Sequence, residues 1–186
     1  MRAKKVLNVP SSSADITLGT FQEVMSLGDD KAMEAVALIA GVDVDFLSAM
    51  SEADLVKVSE LCMKALHDDK TPIKTIWKHE GITYRMHPEF AAMTTGEMTD
   101  METYLNNVDT FHKGIAVAFR EQTKASDALG GLYDIVPYTG TSDTAEIFKH
   151  IPLSIFYGFK GFFLLIGLEL KDNLPHSSIQ TGTEQT

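Results

Sequence analysis

At 186 residues and 20.5 kDa the chain is long enough to bury a core of its own, and its 44% hydrophobic content excludes an extended disordered chain. Its 26 acidic against 16 basic residues leave a formal charge of −10, which repels phosphate backbones and excludes free nucleic acid as an expected partner. A single cysteine, Cys62, can form no internal disulfide, which fits a reducing compartment.

Residues 1–15 are basic, then Ser-rich, and read as a flexible arm with no secretory leader. Thr17 is placed to cap a helix carrying Leu18, Phe21, Val24 and Met25 on one side, which Gly28 stops. Asp29 and Asp30 open the next helix, whose apolar side is Met33, Val36, Ala37 and Ala40, and Gly41 ends it. Asp43 and Asp45 lack the spacing of a calcium loop and read as helix-start carboxylates. Ser51 then caps the clearest helix of this half, with the stripe Leu55, Val58, Leu61, Cys62, Ala65 and Leu66. Cys62 reads as a small buried thiol in that stripe.

Pro72 breaks the helical pattern, and two β-forming runs, Ile76 to His79 and Ile82 to Met86, flank a Glu80-Gly81 turn. Two strands alone are marginal in water, so this hairpin must pack on the helices or on another chain, and its edges are places for a partner strand. A short acidic helix is predicted from Glu97 to Leu105. Asp109 should cap a longer one, with Phe111, Ile115, Ala118 and Phe119 inward and Arg120, Glu121 and Lys124 outward. Tyr133 to Gly140 reads as extended, Thr141 or Ser142 caps a helix through Ala145, Ile147 and Phe148, and residues 173–186 read as a mobile tail.

The last helix, about 151–171, is the greasiest part of the chain. It is nearly long enough to span a bilayer, for which roughly 20 apolar residues are needed, but Lys160 at its midpoint would cost on the order of 2.5 to 3.5 kcal/mol there. A core helix or one covered by another protein fits better, and a membrane association is the remaining alternative. Because Phe156, Phe159, Phe162 and Phe163 cover more than one face, they join Trp77 and Tyr84 of the hairpin as expected partner-binding residues. The fold class expected is mainly α, with one small β-hairpin at about residues 75–87 and an apolar C-terminal helix. Residues 16–172 would form one domain, or two lobes joined near 70–75.

No catalytic residue, cofactor site or metal site is expected. His79, His87 and His112 have none of the spacings usual for metal ligands, and neither a phosphate-binding Gly loop nor a nucleophile elbow is present.

Several stretches carry a resemblance: the aromatic strand, Gly turn and second strand from Trp77 to Tyr84, then Thr95-Gly96-Glu97 with Asp100, Met101 and Glu102. Phe119-Arg120, Tyr133 to Tyr138 and the Phe162-Phe163 helix continue it. Over roughly residues 17–171 the pattern resembles tailed-bacteriophage virion-morphogenesis proteins, and among them tail assembly chaperones. That resemblance implies a non-enzymatic protein of the host cytoplasm that coats the hydrophobic tape-measure protein, or another tail protein, while the tail is built. It departs from some such chaperones in showing no frameshift-extended second part. A permanent minor virion protein of the tail or head-tail region, and self-association, are left open by it.

Overall fold

The computed structural model describes residues 7–28, 30–125, 133–141 and 143–173, with side chains described up to residue 164 apart from 124, 125 and 143. The helices are α1 (Leu18–Ser26), α2 (Ala32–Ala40), α3 (Val44–Ser48), α4 (Glu52–Leu66), α5 (Thr95–Leu105), α6 (Phe111–Ala118) and α7 (Leu153–Asn173). Strands β1 (Ile76–His79), β2 (Ile82–Met86), β3 (Phe119–Ala125) and β4 (Tyr133–Ile135) form one antiparallel sheet in the order β1-β2-β3-β4. The chain is thus mainly helical with a small four-stranded sheet among its described residues.

Local chemistry sets several helix starts. The Thr17 hydroxyl accepts from the Thr20 N–H (3.1 Å), and the Ser51 hydroxyl accepts from the Asp54 N–H (3.2 Å), so each relieves a free donor of the first turn. Gly41 ends α2 in the left-handed region (φ 62°), where a side chain would be strained. Asp30 does not cap α2 as expected: the N-cap is Lys31, which makes no side-chain capping bond. Asp29 lies outside the described residues.

The Ser-rich stretch is more ordered than a flexible arm. Ser12 closes a capping box around the 3-10 turn Ser13–Asp15, and the fully buried Ser13 hydroxyl donates to the Asp68 carbonyl (2.7 Å). Beyond it, the Leu18 N–H donates to the Ile151 carbonyl (2.9 Å) and the Leu153 N–H to the Ile16 carbonyl (2.8 Å). These bonds join the first helix to the start of the last.

The hairpin forms where the sequence places it. Glu80 (φ 48°) and Gly81 (φ 83°) both have positive φ, the combination that a two-residue turn needs to match strand twist, and Trp77 faces Tyr84 across the strands. The predicted helix through Lys124 is corrected: α6 stops at Ala118, and Phe119–Ala125 runs as a strand along the second edge of β2. That pairing satisfies the β2 edge and explains why the spacing of Phe111, Ile115 and Ala118 cannot be extended past Phe119. Asp143–His150 is a 3-10 rather than an α-helix. Ala145 and Phe148 recur at its period of three, followed by Ile151, and all three are buried.

The core gathers on the first turns of α7. Phe156 stacks on Phe111 (4.9 Å between centroids) and Phe159 meets Phe119 edge-on (6.0 Å), both α7 rings fully buried. Gly158 lets the Pro72–Ile73 backbone come close to α7: a Cβ there would lie 2.9 Å from the Pro72 carbonyl oxygen. Lys160 is accommodated with its ammonium 4.8 Å above the Phe111 ring, an aromatic face that attracts the charge. Among the described residues no helix is long and apolar enough to cross a membrane. The apolar character expected for α7 beyond residue 164 lies outside the described side chains.

Candidate functional site

The six expected partner-binding residues divide. Trp77 and Tyr84 are buried against Phe148 (5.4 and 5.3 Å between centroids), and Phe156 and Phe159 are fully enclosed. These four are corrected from contact residues to core residues, because the 3-10 segment and β3 cover the faces that the sequence leaves open. Phe162 and Phe163 are half-buried, Phe162 against Phe90 (5.4 Å) and Phe163 against Phe159 (6.3 Å), and keep some accessible area.

Exposed apolar side chains remain in several places, Leu164 of α7 among them, and one group of them lies between α1, α2 and α4. A groove of about 620 Å³ is lined by Val24, Met25, Leu27, Met33, Leu55 and Met63 among others. Met25 is 53% exposed, Met63 43% and Met33 36%, and Val56 (50%) stands in the next row of α4. The sequence pattern turns Met25, Met33 and Leu61 inward. The structure instead centres the buried side of α1 on Leu18, Gly19 and Gln22, that of α2 on Val36, Ala37, Ile39 and Ala40, and that of α4 on Val58, Cys62, Ala65 and Leu66. Methionine suits such a place, since an unbranched thioether adapts to guests of different shape.

Gln22 was missed because it interrupts an apolar face. Its side-chain amide donates to the Val108 carbonyl and meets His112 Nδ1 (3.1 Å), linking α1 to α6. His112 is buried, and its Nε2 faces Glu146 Oε1 at 3.2 Å. Burial pushes the His112 imidazole below its ordinary pKa against the pull of Glu146. His79 stacks between Trp77 (4.9 Å) and His150 (5.4 Å), far from any ligand geometry, and no group of three or more His, Cys, Asp or Glu among the described residues is arranged to hold a metal.

A second cluster joins three stretches of the resemblance pattern. The Glu97 carboxylate accepts from the Thr94 N–H (2.7 Å) and hydroxyl (2.9 Å) at the start of α5 and pairs with Arg120 of β3 (2.9 Å), both side chains nearly enclosed. The Tyr138 hydroxyl donates to Asp100 (2.6 Å), and Tyr138, Thr94, Glu97, Arg120 and His87 border a cavity of about 380 Å³. Burial alone would raise the Glu97 carboxyl, but the Thr94 bonds and Arg120 outweigh it and hold it below the usual range. Burial pushes the Tyr138 hydroxyl well above its ordinary pKa, with Asp100 adding to the shift, and draws the Arg120 guanidinium down. Glu97 and Arg120 neutralise one another and Tyr138 is engaged by Asp100. The cluster therefore fastens α5 to the sheet.

The open groove, not the ionic cluster, is the candidate site, and its chemistry is that of a binding surface. No family model matches the chain, and neither does any curated protein or any solved structure.

Proposed function

We propose that the chain is a non-catalytic assembly protein of a tailed bacteriophage, a tail assembly chaperone that holds an apolar segment of another virion protein such as the tape measure. The observation that carries this reading is the groove between α1, α2 and α4, where Met25, Met33 and Met63 stay wet on a chain that hides its large aromatics. The acidic balance supports it, because a strongly negative carrier stays soluble and resists self-aggregation with its cargo.

The test mixes the purified chain with a tape-measure fragment that aggregates alone and follows light scattering. Suppression at near-stoichiometric amounts, lost in the Met25→Glu/Met63→Glu double variant, is the expected result. Aggregation unchanged by the native chain overturns the proposal.

A permanent place in the virion is the second reading, supported by β1, an outer strand of the sheet with Ile76 41% exposed and Ile82 beside it 38% exposed. Mass spectrometry of purified particles separates the two: stoichiometric amounts favour a structural subunit, and absence favours the chaperone.

A further inference from the structure

We infer that the free edge of β1 takes up an extended segment of a partner protein as an added strand, one with carboxylate side chains two residues either side of a β-branched residue. This surface is separate from the α1–α2–α4 groove and stands whether or not the groove carries cargo. Its backbone chemistry follows from the register. The Met86 N–H donates to the Thr75 carbonyl directly opposite (2.9 Å), so the alternation of an antiparallel ladder turns the N–H and C=O groups of Thr75, Trp77 and His79 toward β2. Those of Ile76 and Lys78 therefore point away from it, on the outer side of the sheet. No hydrogen bond among the described residues reaches them, and residues 72–76 are exposed without a break. Such a row of unpaired donors and acceptors is a template for another strand.

The side chains name the charge of that strand. Ile76 and Lys78, both exposed, stand on the face opposite Trp77, exposed Lys74 continues the alternation just before β1, and Arg85 lies across from Ile76 on the same face. Residues 70–79 carry three Lys and no Asp or Glu on a chain of formal charge −10, with Asp69 and Glu80 bounding the stretch. Glu121 stands opposite Tyr84 and so belongs to the other face, while Glu97 is held by Arg120 (2.9 Å) of β3, two strands away. A second copy is a poor occupant. Antiparallel pairing of two β1 edges about Ile76 sets each copy's Lys74 opposite the other's Lys78, and like charges directly opposite are destabilising. An acidic strand turns the same lysines into cross-strand ion pairs and lays its β-branched side chain on Ile76.

The experiment uses labelled peptides of about ten residues built on Glu-Thr-Val-Thr-Glu, with a Lys-Thr-Val-Thr-Lys counterpart, and fluorescence anisotropy against the full chain. The acidic peptide is expected to bind at least about tenfold more tightly at low salt. N-methylation of its central Val keeps every charge but removes the donor to the Ile76 carbonyl, and should weaken binding at least about tenfold. Ile76→Pro removes the outward N–H while sparing the β1–β2 ladder, and should weaken the acidic peptide comparably with an unchanged circular dichroism spectrum. The N-methylated peptide makes the same comparison without touching the protein's fold. Lys74→Glu/Lys78→Glu should reverse the preference between the peptides, and Met25→Glu/Met63→Glu should leave it as in the native chain.

Failure of the acidic peptide to bind means that the lysines only blunt an exposed edge, and overturns the inference. Equal binding of the two peptides overturns the charge selection. Binding that survives N-methylation reduces the contact to diffuse attraction and overturns the added strand. Loss of binding in the double Met variant moves the seat to the groove, and a dimer by sedimentation that Ile76→Pro dissolves makes a second copy the occupant; either overturns the inference. None of these outcomes decides the chaperone or virion readings, which rest on light scattering and particle composition.

Discussion

The α7 core and the α1–α2–α4 groove are both built from apolar side chains and end in opposite states. Phe156 and Phe159 are fully enclosed, while Met25 is 53% exposed. The difference lies in how many elements converge. Around the start of α7 pack α1 through Phe21, α6 through Phe111 and the sheet through Phe119, whereas among the described residues the groove is lined by α1, α2, the turn between them and α4 alone. Apolar richness along the chain therefore does not by itself mark a contact surface: the Phe-rich first turns of α7 are enclosed, while the sparser stripe of Met25, Met33 and Met63 stays open.

The largest break in this comparison should come from Phe156→Ala, which removes a ring from a site with no slack. A loss of about 3 to 5 kcal/mol in urea unfolding is expected. Glu97→Ala should follow at about 3 kcal/mol, because it strands the enclosed Arg120 charge, whereas Glu97→Met with Arg120→Met together should cost much less. Ser51→Ala should cost about 1 kcal/mol by freeing the first turn of α4, the floor of the groove. Met25→Glu should change stability by less than about 0.5 kcal/mol while abolishing guest binding. A large stability loss at Met25 would mean that the groove is core after all.

Acid sharpens the same contrast. The folded chain holds His112 and His87 below their ordinary pKa, so the unfolded chain takes up protons first as pH falls. The stability that they contribute is complete above about pH 6.5 and is lost as pH drops through the folded values. Glu97, also lowered, adds a further loss below the ordinary carboxylate range. Thermal melts from pH 8 to 5 should show declining stability, and His112→Gln should flatten the upper part of that slope.

What could be read in advance was local. Thr17, Gly41, Ser51 and the Glu80-Gly81 turn act within a few residues of themselves, so their effects follow from sequence order. Strand β3 did not follow, because Phe119 to Lys124 has helical spacing and only the distant edge of β2 decides against it. The Glu97–Arg120 pair spans 23 residues, and the Gln22–His112 contact spans 90. For the site, spacing identified α1, α2 and α4 as amphipathic but could not say that Met25 and Met33 would lack a cover. Periodicity records which side is apolar and is silent on what arrives to meet it.

The paired backbone bonds of Leu18 with Ile151 and of Leu153 with Ile16 carry a temporal meaning. On the ribosome, the first helix waits for nearly the whole described chain to emerge before its anchor exists. One wall of the groove is consequently among the last parts to settle, and a nascent chain halted before residue 150 would carry α1 without its anchor and open to proteases. A groove built in this way is finished only after the start of α7 has been made.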